Sequence, residues 1–503
     1  MAAKLRRPDL SEIEQVSTVD DIIAGLNLKN AENTIIGDAQ IKGVSGGERK
    51  RCSMAMEMIT NPPILFLDEP TSGLDSFTAL SVIKTLKALA ETGRTIVITI
   101  HQPSSEVFRL FDDLILMADG RILYQGVAER SVQYFSNLGY ACPLRSNPSD
   151  FFFMSILNTD EAIESADGIE PRERIERLLN TWPEQVEYEA LLKVMDSRRY
   201  NRNILLTSER HLSSIWVQFI FLYARSTKNA VRNPLVLRSK LAQTLFTSFL
   251  IGFLYYQTNL KTDTSAIQNR LGVIFFLSNG NYMSSQTSNL SVFGREKSNF
   301  KREYDLGYYS VGPYFLAKIL SELPLYVLFP GLETLLIYYL AGLQTSGAKV
   351  VVAICASCLL SLLGMAVGVT IAVSTSSLQM ALLVVPMLTI PLMLFSGMFL
   401  NLNSIVPALS WFQWLSPIRY CFEALVKNEF DGLNLDLAIE ISGTAYKKTV
   451  QGSSIITQEG FGLDGLSVGQ LLAILACSCV VFFLVSYVLL VRLVTKRSIF
   501  KSQ

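Results

Sequence analysis

Two adjacent carboxylates, Asp68 and Glu69, close the short apolar run Ile64–Leu67, and His101 closes a second run, Thr95–Ile100 (TIVITI). Runs of this length and composition fit buried parallel strands, whose C-terminal ends present side chains to a ligand crevice. Two carboxylates side by side can divide two tasks: one holds a divalent cation, the other orients and deprotonates a water. A histidine at the neighbouring strand end is placed to reach the same ligand. Upstream, Ser45-Gly46-Gly47 precedes the basic, helix-forming stretch Glu48–Met58. A Gly-rich turn at a helix N-terminus offers backbone N–H groups and a positive dipole end to an anion. Together these residues point to the handling of phosphates.

Each fragment alone is a weak signal; their order and spacing make a strong one. VSGGERKR (Val44–Arg51), ILFLDEPTSGLD (Ile64–Asp75) and the His101-Gln102-Pro103-Ser104 block resemble the signature loop, Walker B strand, D-loop and switch histidine of an ABC-transporter ATPase domain. GVSGGERKR, LDEPTSGLDS, TIHQPSSEVFRLFDDLILMADGRILYQG and the Asn147-Pro148-Ser149-Asp150-Phe151 block narrow the resemblance to the G family, the white/brown type. It extends through nearly the whole chain, with the ATPase part first and the membrane part second.

The resemblance implies ATP and magnesium as cofactors. Asp68 would hold the magnesium through water, Glu69 would activate the attacking water, and His101 would sense the γ-phosphate. Ser45, Gly46, Gly47 and Glu48 would cap the γ-phosphate of ATP held by a partner domain, with Asp75 coupling the two sites. No G-x-x-x-x-G-K-[ST] loop occurs in the sequence. Asp20–Gly37 matches the helical subdomain that normally lies between that loop and the signature, so the chain is expected to begin inside the domain. The expected fold is therefore an incomplete α/β P-loop-type ATPase domain followed by an all-α polytopic membrane domain with six transmembrane helices.

Composition supports the membrane half. Of 503 residues, 50% are hydrophobic and 17% charged, where a soluble domain carries about 25% charge. Mean hydropathy is +0.31. The formal net charge is +0, which gives no global attraction to nucleic acid. None of the seven cysteines forms a zinc-type pair of pairs, and Cys355-x-x-Cys358 lies inside an apolar run. The basic N-terminus has no apolar core behind it and is not a secretory signal.

The chain divides into residues 1–155, the C-terminal part of the ATPase domain; 156–210, a charged linker; 211–233, an amphipathic connecting helix; and 234–496, the membrane domain. Six spans near the roughly 20-residue bilayer length are expected at Leu237–Tyr256, Leu271–Phe293, Tyr314–Leu340, Val350–Val373, Leu378–Leu400 and Leu466–Leu490. An external re-entrant loop is expected at about 401–465. Its Cys421 stands alone and cannot form a disulfide within that loop. Basic clusters before the first span and after the second and sixth place the ATPase part and both termini in the cytoplasm. Arg295–Tyr309 reads as a cytoplasmic loop resembling the family's coupling segment.

Ser278, Asn279, Asn281, Ser284, Ser285 and Gln286 make the second span polar, as helix–helix contacts or a cavity lining require. By resemblance, Asn279 and Met283 would face a substrate cavity from the second span and Ile390 and Met393 from the fifth. Met398 and Phe399 would form a hydrophobic plug. The expected function is ATP-driven export of an amphipathic small molecule (a lipid, sterol or pigment precursor) by one half of a dimer of ABC half-transporters in a lipid bilayer. The alternative is a partner subunit, or a gene-model fragment, that lends only its signature loop and half the cavity.

Overall fold

The computed structural model describes residues 1–37, 43–143, 146–157, 171–182, 213–232, 234–258, 265–400, 405–441, 444–452 and 465–500. They fall into two compact units, Met1–Leu212 and Ser213–Gln503. Most of the stretch expected as a charged linker, together with residues 401–404 and 453–464 of the external loop, lies outside the described residues.

The first unit begins with helices α1 (Ala2–Arg6), α2 (Glu12–Gly25) and α3 (Gly46–Met58). Strand β1 (Ile64–Asp68) leads through a turn to α4 (Ser76–Glu91) and back to β2 (Thr95–Thr99). The two strands are parallel, with Asp68 opposite Thr99. Leu65 joins Met54, Met58, Val82, Ile83, Leu86 and Leu89 in a core between α3, α4 and the strand pair. The expectation of buried strands holds on that face alone. On the other face Ile64 and Phe66 are 51% and 77% exposed, because helices cover the pair from one side only.

A second core follows. α5 (Ser105–Phe108) precedes the antiparallel hairpin β3 (Asp113–Ala118) and β4 (Arg121–Val127), and α6 (Ala128–Asn137) and α7 (Pro148–Phe151) close it. Phe108, Leu116, Leu123, Tyr124, Phe135 and Phe152 pack here. α8 (Pro171–Thr181) lies inside the stretch 156–210, read from its charges as a solvated connector. In the structure its Ile175, Leu178, Leu179 and the following Trp182 are buried in this core. Spacing of three and four residues puts these apolar groups on one helix face while the charged residues occupy the other.

The second unit opens with α9 (Ile215–Arg232), the expected amphipathic helix, and α10 (Pro234–Leu254). Then come α11 (Ser265–Asp305), α12 (Val311–Ala341), α13 (Gly347–Ser374), α14 (Leu378–Leu394), α15 (Pro417–Phe430), strands β5 (Asn434–Ile441) and β6 (Thr444–Gln451), and α16 (Val468–Phe500). Helices occupy all six expected spans. Among the described residues, Val311–Ala341, Gly347–Ser374 and Val468–Thr495 are long and apolar enough to cross a membrane by themselves, and Leu378–Leu394 is a shorter apolar helix.

Three local expectations change. α11 has 41 residues, about 60 Å at 1.5 Å per residue, so Arg295–Asp305 continues the helix instead of forming a loop. α14 stops at Leu394 instead of Leu400, and Gly397 follows with φ +94°. The external region, expected as a re-entrant loop of an all-α domain, holds an antiparallel hairpin, β5–β6. The alternation Leu435-Asp436-Leu437 and Ile439-Glu440-Ile441 carries the period of two that favours strand.

Close packing of α11 on α13 fixes the second unit. A Cβ added at Gly364 would lie 2.7 Å from the Tyr282 carbonyl oxygen, and one at Gly368 would lie 2.6 Å from that of Gln286. The backbones approach where side chains are absent, as membrane helices do at small-residue contacts. Gly368→Leu is expected to force the two helices apart and destabilise the unit by about 1–3 kcal/mol. Gly280→Ala, which has no atom within 4 Å of its new Cβ, should leave stability within about 0.5 kcal/mol. Thermal unfolding of the full chain in nanodiscs measures both; equal melting temperatures for the two variants would contradict the packing argument.

Candidate functional site

Asp68 and Glu69 stand at the end of β1, and Thr99, paired with Asp68 in register, ties them together. Its hydroxyl donates to Asp68 Oδ1 at 2.6 Å and accepts from the Glu69 N–H at 2.9 Å. Thr99 is a positioning residue that sequence reading missed; the signal was its place two residues before His101 on the paired strand. Glu69 takes φ +44°, a left-handed conformation uncommon for a side-chain-bearing residue. Lys50 Nζ, from the helix behind the signature loop, donates to the Glu69 carbonyl at 3.2 Å. Both carboxylates are exposed, as a cation-binding pair must be.

His101 follows β2 and is exposed. It shares one cleft of about 270 Å³ with Glu69 and with Thr71, Ser72 and Gly73 of the turn after β1. The Asn147–Phe151 block braces this end of the cleft. Asn147 Nδ2 and Ser149 Oγ both donate to the Pro103 carbonyl, at 2.9 and 2.6 Å, and the Phe153 ring lies 5.9 Å from that of His101. Two donors on one carbonyl fix the backbone two residues beyond the histidine.

Ser45 is the N-cap of α3. Its side chain accepts from the Glu48 N–H at 3.3 Å, and Glu48 Oε2 accepts from both the Ser45 N–H and hydroxyl at 2.8 Å. This reciprocal capping box engages the serine hydroxyl and the Glu48 carboxylate locally. The backbone N–H groups of Gly46 and Gly47 remain in the first turn, where a helix leaves donors without intrahelical partners. Gly47 is buried, and a Cβ there would lie 2.3 Å from Thr78 Cγ2. Asp75 caps α4, accepting from the N–H groups of Phe77 and Thr78 and from the Thr78 hydroxyl. The Thr78 hydroxyl and N–H hold the Asp75 carboxyl below its ordinary range. The start of α3, where Ser45 and Gly46 are exposed, suits a phosphate oxygen, and the Asp68–Glu69 pair suits magnesium, so the residues present fit both expected cofactors.

In the second unit the polar residues of α11 divide. Ser285 hydrogen-bonds Ser361 on α13 at 2.7 Å, and Gln286 Oε1 accepts from Thr389 on α14 at 2.9 Å. Ser278 and Asn281 bond back to their own helix. Asn279 and Met283 are half-buried, with Nδ2 3.7 Å from Sδ, beside the exposed Phe276, Gly280 and Ser284. On α14, Ile390 is exposed and Met393 packs against the core, as does Met398 just beyond the helix. Phe399 is 55% exposed and meets Phe275 edge-on at 4.9 Å. Of the buried polar groups, Ser285 and Gln286 therefore join helices while Ser278 and Asn281 are satisfied within α11, and the expected cavity residues occupy the adjoining exposed or half-buried positions.

Comparison with known proteins covers both units. A family model described as ABC transporter matches residues 3–72, and two described as ABC-2 type transporter match residues 101–174 and 217–430. The chain is 34% identical over 514 residues to the broad substrate specificity ATP-binding cassette transporter ABCG2 of Sus scrofa, covering 98% of this chain and 78% of that one. The ABCG2 of Rattus norvegicus is 33% identical with the same coverage. Protein white of Drosophila melanogaster is 34% identical over 91% of this chain and 66% of its own length.

The capping box predicts a pH signature. The Ser45 N–H, then its hydroxyl, hold the Glu48 carboxyl below its ordinary range. Its contribution to stability is therefore complete above the unfolded value of about 4.3 and is lost as pH falls through the lower folded value. The protection of the Gly46–Arg51 amides, taken as hydrogen exchange relative to the intrinsic rate at each pH, is expected to fall as the wild type is acidified through that window. Glu48→Gln should flatten the dependence, and an unchanged profile would count against the capping role.

Proposed function

Because this chain belongs to the G family of ABC half-transporters, we propose that it is one half of an ATP-driven exporter of an amphipathic small molecule of the lipid, sterol or pigment-precursor class. The observation that carries the reading is the convergence of Glu69, His101 and the turn Thr71–Gly73 on one cleft, in a chain whose second unit holds apolar, bilayer-length helices. The proposed arrangement is a dimer with a second half-transporter, with the first unit and both termini in the cytoplasm. Transfer of the γ-phosphoryl group to water is the chemistry that bound ATP and magnesium supply.

In this reading Asp68 holds the cation and Glu69 takes the proton of the attacking water. Thr99 keeps the two carboxylates apart in their tasks by bonding one side chain and the other's backbone. His101, with its loop fixed through Pro103, reports on the phosphate end of the cleft. The N–H groups of Gly46 and Gly47 serve the partner's phosphate. Flexible Met393 and Met398, with flat Phe399, suit bulky and variable cargo.

Within the second unit, Arg225 Nη1 pairs with both oxygens of Glu303 at 2.8 and 2.9 Å, and the Tyr309 hydroxyl donates to Glu303 Oε2. Phe300, Tyr309 and Tyr314 stack beside them. This packing makes α9 and the end of α11 move together, so a displacement of the coupling segment reaches the cavity helix directly.

When the chain is joined to a segment that supplies a G-x-x-x-x-G-K-[ST] loop and placed in membranes with its partner half, Glu69→Gln is expected to cut ATP turnover and outward movement of a labelled amphiphile about 100-fold or more. Gly47→Val, which drives a side chain into Thr78, should also abolish both. Turnover that survives Glu69→Gln but not Gly47→Val would replace this reading with a subunit that lends only its signature loop.

A further inference from the structure

Glu333 lies within α12, eight residues before its end at Ala341, about 12 Å inside the span at 1.5 Å per residue. The other glutamates of these helices show what a carboxylate here requires. Lys318 pairs with Glu296 at 2.6 Å and Glu322 at 2.8 Å, Arg225 with Glu303, Lys427 with Glu423, and Arg270 with Glu429. Glu333 has no cationic partner among the described residues. Its one recorded bond comes from Thr247 on α10, whose hydroxyl donates to Oε1 at 2.9 Å. Lys240, the nearest cation along α10, sits over the Tyr326 ring at 4.0 Å, seven residues or about 10 Å further along the helix axis.

The surroundings open towards lipid. Phe246, Phe249 and Leu250 on α10 and Leu335 on α12 are exposed, and Glu333 itself is only half-buried. The next residue on α10, Ser248, is fully buried with its hydroxyl unpartnered among the described residues. A carboxylate at this depth is costly unless something positive meets it, and acids inside spans mark functional sites for that reason.

We propose that Glu333 and Thr247 form a subsite for an organic cation: the protonated amine head of an amphiphile that reaches the α10–α12 interface from the bilayer. The amine would complete the ion pair that five other glutamates make within the chain, while its tail lies along Phe246 and Leu250. The subsite depends only on the membrane placement of the second unit and stands apart from the export reading and from the cavity residues of α11 and α14.

The test uses the full chain in phosphatidylcholine nanodiscs, with dodecylammonium as the cation and dodecanol as its neutral counterpart. Dicyclohexylcarbodiimide, which adds to carboxyl groups in lipid, reports on Glu333 by peptide mass mapping. Dodecylammonium is expected to slow labelling and dodecanol to leave it unchanged. Direct binding of radiolabelled dodecylammonium should weaken about tenfold or more in Glu333→Gln, the loss of a charge-assisted bond. The Thr247→Val variant, which keeps the carboxylate, should weaken it less. Equal protection by the two probes would mean simple partitioning, and no protection would mean that the carboxyl holds only a proton; either overturns the subsite. If Glu333→Gln does not fold, Glu333→Asp serves instead, and undiminished binding in both Glu333→Asp and Thr247→Val rejects it.

Discussion

A polar group removed from water must find its partner inside the protein, and the architecture follows from how this chain meets that demand. An unpaired buried donor or acceptor costs on the order of 1–3 kcal/mol. In the second unit the demand is met between helices: Ser285 with Ser361, Gln286 with Thr389, Asn289 with Glu322, and Thr370 with Ser486. Each bond fixes one helix against another at one register. The close approach at Gly364 and Gly368 makes the α11–α13 bonds reachable. The same demand explains why α15 can bury Glu423 and Glu429: Lys427 and Arg270 supply the opposite charges, and Gln344 donates its N–H to Glu429.

The first unit meets the demand locally, at the helix ends and strand ends of the candidate site. Ser45 and Asp75 cap α3 and α4, and their caps set the two loops that would face a nucleotide. Thr99 bonds both halves of the Asp68–Glu69 pair, and Pro103 is held by Asn147 and Ser149. The side chains of Asp68, Glu69 and His101 thus stay exposed while the backbone around them is fixed. Such preorganisation serves an ATPase, because the protein contributes positioning more than covalent chemistry to phosphoryl transfer.

Much of this was legible in the residues. Asp68, Glu69 and His101 could be placed at strand ends because apolar runs stop there. The Ser45-Gly46-Gly47 turn before Glu48–Met58 marked a helix N-terminus, though the capping box there was seen only in the structure. The helices of the membrane half showed as apolar runs of bilayer length, and α11 and α14 could be bounded only roughly, because α11 continues past its apolar part on charged residues and α14 contains Pro386 and Pro391. The buried face of α8 was present in the spacing of Ile175, Leu178, Leu179 and Trp182, but the surrounding charges masked it. The β5–β6 pairing was not read, because eight-residue strands in a loop-rich region carry a weaker signal than a helix of thirty.

The sequence by itself determined most of the helices and the strands of the first unit, the membrane character of the second half and the candidates for handling phosphate. These depend on local order along the chain: periodicity, run length and motif spacing. Only the tertiary structure decided which polar groups of α11 join helices and which stay exposed, that Thr99 rather than a motif residue positions the carboxylates, and that Glu333 lacks, among the described residues, the cation its fellow glutamates have. Those properties depend on which residues from distant parts of the chain meet. Ser285 and Ser361 are 76 positions apart and Gln286 and Thr389 are 103, and no local pattern records that meeting.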